Sequence, residues 1–210
     1  MANVSKYAIR ILLLVGGVMI MALGGSFLLL SNFGGDAILV FQQGVSKLMG
    51  FSMDNIGYGI LIINVAFSIV MVILDRKMLN IGTVIVSLLM GTLIQLVVTF
   101  NLLSAATSLF SQILMSVAGC IILSIGVTLY LHANLGYAPF EGILIIIQKR
   151  FKIRFGLVKI VSDLTLFLIG WALGGVIGIG SVLTIIIVGP AIDFFMKLVN
   201  KIIPKNKLGY

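Results

Sequence analysis

Lys159 and Asp163 stand four residues apart in an otherwise apolar run, the spacing that puts two side chains on one face of a helix and makes an ion pair along it available. Charge inside an apolar span is costly and needs a partner, water or a task. Two readings follow: Asp163 titrates or binds a cation during transport, or the pair is a static bridge. Asp193 follows Gly189-Pro190 in a second apolar run, where proline frees a backbone carbonyl and predicts a kink or a broken helix. Asp193 then either offers an ion or substrate contact at that break or pairs locally with Lys197. Asn64 and Gln95 complete the set of polar groups expected along a substrate or ion pathway with Lys159, Asp163 and Asp193.

Other chemistries lack their residues. One histidine, His132, and one cysteine, Cys120, cannot assemble a metal site, and no nucleophile–base constellation accompanies the scattered acids, so neither an enzyme nor a cofactor is expected. His132 reads as a boundary residue at the end of a span. The glycines at 174, 175, 178 and 180 lack the lysine and the serine or threonine of a phosphate loop, which argues against a nucleotide-driven pump.

The elements that hold these residues must be membrane spans. With 60% hydrophobic and 10% charged residues and a mean hydropathy of +1.26, the 210-residue chain would expose apolar surface to water in any compact soluble fold. Six segments, 8–30, 56–74, 81–101, 108–131, 156–174 and 180–199, are long enough to cross about 30 Å of hydrocarbon as helices. The first is too long for a signal-peptide core and reads as a retained span. Cys120 is a small packing residue, and a lone cysteine rules out a disulfide framework within the chain.

The chain also repeats itself. Gly17, Gly24 and Asn32-Phe33-Gly34 return as Gly119, Gly126 and Asn134-Leu135-Gly136 at a constant offset; Gly57 and Asn64 return as Gly156 and Asp163. Gly82-Thr83, Gly91 and Gln95 return as Gly180-Ser181, Gly189 and Asp193. The expectation is one membrane domain over 1–210, an all-α polytopic fold of two repeats, 8–101 and 108–199, followed by a basic tail at 200–210. Three spans per repeat is an odd number, so the second copy enters from the opposite face and the repeats are inverted. Glycines seven apart fall on one helix face and predict close packing of the first span in each repeat. Asn32 and Asn134 are expected to cap span ends. Segments 36–49 and 138–151 are too short to cross. The second, starting at Pro139 and ending in Lys149, Arg150, Lys152 and Arg154, is either an interfacial helix with snorkelling basic residues or a re-entrant half-helix.

Charge sets the orientation. Six spans place Lys6, Arg10, Arg76, Lys77, Lys149, Arg150, Lys152, Arg154, Lys197, Lys201, Lys205 and Lys207 on the side of both termini and leave Lys47 on the other. By the positive-inside rule both termini are cytoplasmic, in a multi-pass protein of the cell membrane. The net charge of +8 then speaks for anionic lipid headgroups as partners and not for nucleic acid, since no aromatic-and-basic stacking surface accompanies it.

Several stretches together resemble the YczE/YyaS/YitT family of bacterial membrane proteins, closest to its YczE branch: residues 34–50, Gly50-Phe51-Ser52, Gly82-Thr83, Leu135-Gly136-Tyr137-Ala138-Pro139, Gly170-Trp171-Ala172-Leu173-Gly174-Gly175 and Gly178-Ile179-Gly180. The resemblance spans almost the whole chain and implies a polytopic fold and transport. It also implies a motif, Leu-Gly-x-x-Pro-x-Asp, after the first span of each repeat. The second copy here has Gly136, Pro139 and Glu141; the first has Gly34 with Ala37 and Leu39, and Asp36 lies close to one turn away. The Lys159–Asp163 pair matches an Arg-to-acid pair of that family with lysine in place of arginine. The leading expectation is a secondary transporter or exporter of a small molecule. The alternative is a non-transporting membrane partner that holds a biosynthetic enzyme or lipid at the cytoplasmic face through 139–154. A bundle this small also suits a homodimer.

Overall fold

A computed structural model describes residues 2–153 and 155–204. Among them every regular element is helical: α1 (Ala2–Leu30), α2 (Ala37–Leu48), α3 (Ile56–Leu74), α4 (Ile81–Thr99), α5 (Leu109–Ala133), α6 (Pro139–Phe151), α7 (Phe155–Ala172) and α8 (Ile179–Ile202), with single 3-10 turns before α3 and after it. Among the described residues five helices are long and apolar enough to cross a membrane: Lys6–Leu30, Met53–Leu74, Ile81–Thr99, Leu109–Ala133 and Ile179–Ile202. The span expected at 156–174 falls on α7, 18 residues that carry Lys159 and Asp163, and lies outside that set.

The centre of the bundle is the antiparallel pair α1–α5, and glycine makes it possible. A Cβ at Gly17 would sit 2.6 Å from the Tyr130 backbone nitrogen, and one at Gly119 would sit 3.1 Å from the Gly24 carbonyl; Gly24 and Gly126 press on the backbones of Leu123 and Met21 in the same way. Small residues thus let two backbones touch, which is how helices associate where no hydrophobic effect drives them together. Around this crossing lies the main core, including Leu14, Val18, Ile56, Ile60, Ile94 and Tyr130.

The remaining helices are arranged in matched sets. α4 lies on α1 and α8 on α5; α2 packs on α7 and α6 on α3. Matched residues make these contacts, Gly142 meeting Met71 on one side and Val40 and Phe41 meeting Gly170 on the other. Asn32 and Asn134 both take left-handed conformations, with φ of 52° and 49°, so each turns the chain sharply at the end of its helix. The loops that follow dock crosswise. The Gly82 amide donates to the Leu135 carbonyl at 3.0 Å, and the Gly180 amide donates to the Phe33 carbonyl at 2.7 Å.

One matched pair of contacts is not the same. α3 and α4 form a tight antiparallel seam, in which a Cβ at Gly91 would collide with the Leu61 backbone and lie 2.6 Å from the Gly57 carbonyl. α7 and α8 form no packed seam among the described residues, and a Cβ at Gly189, the counterpart of Gly91, meets nothing within 4 Å.

The break expected at Pro190 does not form. α8 continues through it from Ile179 to Ile202. Proline removes one amide and its hydrogen bond, and a helix in an apolar setting tolerates the loss where other donors reach the freed carbonyls. The carbonyl freed here is that of Ile186; two residues on, the Ser124 hydroxyl donates to the Val188 carbonyl at 3.4 Å as well as to Cys120 of its own helix.

Candidate functional site

The two short helices carry the site. α2 buries Leu39, Val40, Gln42, Gln43, Gly44 and Ser46, and α6 buries Pro139, Phe140, Gly142, Ile143, Leu144 and Ile146. Each is therefore enclosed by α3 and α7 and does not lie on a surface by one face. Gly34, with φ of 98°, turns the chain into α2, and Pro139 starts α6, where a missing amide costs nothing. These starts bring Asp36, the N-cap of α2, and Glu141, in the first turn of α6, to one small cavity of about 80 Å³. Helix N-termini carry partial positive charge, so carboxylates are favoured at both positions.

The cavity is walled by α1, α4 and α5 through apolar residues such as Met21, Met90 and Leu123, and by α3 through Asn64. Asn64 is fixed: its Oδ1 accepts from Gln42 Nε2 at 2.8 Å, with both side chains buried. Asp36 makes no side-chain capping bond, and Glu141 Oε2 is buried with no hydrogen-bond partner among the described residues. Burial pushes the Asp36 carboxyl up to about 6, with the charges of Asp163 and Glu141 adding to the rise and Lys159 opposing it. Burial raises Glu141 likewise, again against Lys159.

Lys159 and Asp163 do pair, at 2.7 Å. They are not the buried couple that an intramembrane reading anticipates, because their side chains remain 41% and 28% exposed. The reason is the open α7–α8 side. Asn64, the counterpart of Asp163, is 5% exposed under α4, whereas no helix covers α7 in the same way. Lys159 Nζ also lies 5.8 Å from the centre of the Phe140 ring, which in turn is 5.5 Å from Phe67. Asp36, Glu141, Asn64, Gln42, Lys159 and Asp163 thus form one electrostatic neighbourhood.

Residues 8–197 match the model of a family of unknown function, DUF6198. The chain belongs to DUF6198. Its relatives include an uncharacterized protein of Haemophilus influenzae, 28% identical over 93% of this chain and 88% of that one, and YyaS of Bacillus subtilis, 28% identical over 92% and 96%. The Bacillus subtilis membrane protein YczE, uncharacterized too, is 28% identical over 55% of this chain and 53% of its own. The resemblance to YczE and YyaS is therefore sound, and this DUF6198 protein is an integral, multi-pass membrane protein. No solved structure matches it.

Two expected pathway residues of this DUF6198 chain lie elsewhere. Gln95 clamps the α3–α4 seam: its Oε1 accepts from the Gly57 amide at 3.0 Å, and its Nε2 donates to the Asp54 carbonyl at 2.6 Å and to Thr99 at 3.0 Å. Asp193 is exposed on α8, and no ion pair with Lys197 forms. His132 is buried and meets the Ile203 carbonyl at 2.8 Å, tying the end of α5 to α8. Gln42 and Phe67 belong to the neighbourhood and were not anticipated. The signal for Gln42 was the Gln42-Gln43 amide pair directly after the apolar run 37–41.

A larger groove of about 330 Å³ between α3 and α4, among residues such as Val65, Ile69, Val72 and Leu88, has an apolar surface and no titratable group.

Proposed function

We propose that this protein is a secondary transporter or exporter of a small molecule, working by alternating access between two inverted three-span repeats in the cell membrane. α1, α3 and α4 make one repeat and α5, α7 and α8 the other; α7 is the sixth span, and α2 and α6 are re-entrant half-helices. Both termini are cytoplasmic, on the positive-inside argument.

One observation carries this reading: matched seams sit in different states. The α3–α4 seam is closed on Gly57 and Gly91, and its counterpart stands open at Gly189 although the sequence keeps the glycine that would let it close. A repeat protein whose halves exchange these two states moves its central cavity from one face to the other. The crosswise loop bonds and the enclosure of α2 and α6 between α3 and α7 support the same arrangement. The scaffold alternative is less favoured, because α6 has buried most of its apolar residues against α3 and α7 and leaves exposed only Lys149, Arg150 and Phe151 at its end.

Thiol labelling tests the proposal without knowledge of the substrate. In a Cys120→Ala background, Met90→Cys at the cavity should react with a small impermeant reagent from either side of the membrane. A disulfide between Ile160→Cys and Gly189→Cys should abolish reaction from one side. Control cysteines at Asp54 and Lys77 should label from outside and only after permeabilisation, respectively. Reaction of Met90→Cys from one side alone, unchanged by the disulfide, would sink alternating access; labelling of Lys77→Cys from outside would sink the topology.

A further inference from the structure

We propose that the central cavity takes a small organic cation, a protonated amine or quaternary ammonium with an apolar body. This names the class of solute for the transport reading above, yet it rests on the cavity itself and stands if that reading fails.

The charge inventory decides the sign. The neighbourhood holds three carboxyl groups, Asp36 from α2, Glu141 from α6 and Asp163 from α7, and one ammonium, Lys159. The parts of α1, α4 and α5 that line the cavity contribute no charge, and α3 contributes the neutral Asn64. Lys159 is already committed, bonded to Asp163 at 2.7 Å. Among the described residues two carboxyl groups are then left without a bonded cation, and Glu141 Oε2 is a buried acceptor with no donor. A buried acceptor in that state costs the desolvation it has not recovered, and a donor entering the cavity returns it. An anion would meet two carboxyls and no free cation. A neutral donor would bond Glu141 Oε2 but leave the charge of the two carboxyls unbalanced.

The walls decide between organic and inorganic. Hard cations such as calcium need six to eight oxygen ligands, and no cluster of three metal-capable side chains occurs among the described residues. The lining is instead aliphatic and aromatic, with Ile38, Leu39 and Met90 around the acids. The ring of Phe140 belongs to that lining, and an ammonium, that of Lys159, already stands 5.8 Å from its centre. Ring faces of this kind attract a ligand cation by the same electrostatics, most strongly when desolvated. Asn64, pinned by Gln42, supplies one oriented amide for an N–H group or a hydroxyl. A volume near 80 Å³ limits the solute to a few heavy atoms.

Thermal-shift titration of the detergent-purified protein with four probes tests this: isobutylamine, tetramethylammonium, isobutanol and isobutyrate at neutral pH. The amine or the quaternary ion should stabilise the protein, with isobutanol and isobutyrate weaker by about ten-fold or more, the scale of a charge-assisted contact. Sodium should not compete. Glu141→Gln and Asp36→Asn should each weaken the cation by a similar factor, and Asp193→Asn should leave it unchanged. Equal binding of isobutanol, preference for isobutyrate, competition by sodium, or no stabilisation by either cation at ~50 mM, ample for ligands of so few atoms, would overturn the proposal. The probe ranking on the wild-type chain decides the matter even if a carboxyl variant fails to fold. Counterflow of the bound cation in proteoliposomes separates the two ideas: binding without movement removes the transporter and keeps the site, whereas movement of other solutes without cation binding removes the site alone.

Discussion

Gly91→Ala and Gly189→Ala make the same one-methyl change at matched positions of the duplication, and they should have opposite effects. At Gly91 the new methyl would collide with the Leu61 backbone and lie 2.6 Å from the Gly57 carbonyl, so α3 and α4 must spread. Backbone cannot turn aside as a side chain does, and overpacking of this kind costs about 1–3 kcal/mol. Spreading the seam also lengthens the bonds of Gln95 to Gly57 and Asp54, which adds to the loss. At Gly189 nothing lies within 4 Å, so no clash arises and alanine gains its helix preference over glycine, at most ~1 kcal/mol. Alanine gains the same helix preference at both sites, so the two variants should differ by the overpacking cost alone, about 1–3 kcal/mol. Thermal unfolding of the purified proteins in one detergent, side by side, measures the difference, and denaturant titration converts it to free energy. If Gly189→Ala is destabilised as much as Gly91→Ala, the α7–α8 seam is closed in the populated state and the asymmetry argument collapses. A further leucine at 189 sharpens the test. Gly189→Leu should be tolerated for stability but should block closure of the α7–α8 seam, read as loss of two-sided labelling at Met90→Cys.

Two further outcomes follow from single side chains. Gln95→Leu should destabilise the protein by about 1–3 kcal/mol, because it leaves the buried Gly57 amide without its acceptor; retention of wild-type thermal stability would refute the clamp. Asp36 makes stability depend on pH. Its folded-state pKa of about 6 stands above the ordinary 3.8, so the folded state binds more protons between these values, and the Asp36 contribution, present in full below 3.8, is lost as pH rises to about 6. Asp36→Asn should flatten that part of the melting-temperature profile, and an unchanged profile would show that the carboxyl is solvated.

What the sequence discloses is what local rules determine. Hydropathy needs no tertiary partner, so five long helices lie within a few residues of their expected spans. Glycines seven apart marked a close-packing face on α1 and on α5, since two turns return to one face, though not that the two faces meet, and the four-residue spacing of Lys159 and Asp163 is sufficient for a pair along one helix. The cavity was less legible. Asp36, Glu141 and Asn64 belong to three helices, and only the enclosure of α2 and α6 brings them together. Gln95 shows the limit most clearly. An amide in an apolar helix suggests a pathway, and its alignment with Asp193 suggested one role for both. In the folded chain Gln95 closes a seam, and Asp193 lies exposed on α8, where the matching seam has not formed.

The crosswise loop bonds have a consequence for synthesis. The acceptor for the Gly82 amide is the Leu135 carbonyl, more than fifty residues further along the chain, and the acceptor for the Gly180 amide is the Phe33 carbonyl, made long before. The first half therefore leaves the ribosome with one helix start unsealed, and the second half arrives carrying the cap for it while needing a cap already waiting. Neither half is a finished folding unit. Assembly must run as a two-way handshake in which the early helices stay in the bilayer, incompletely bonded, until the late ones enter beside them.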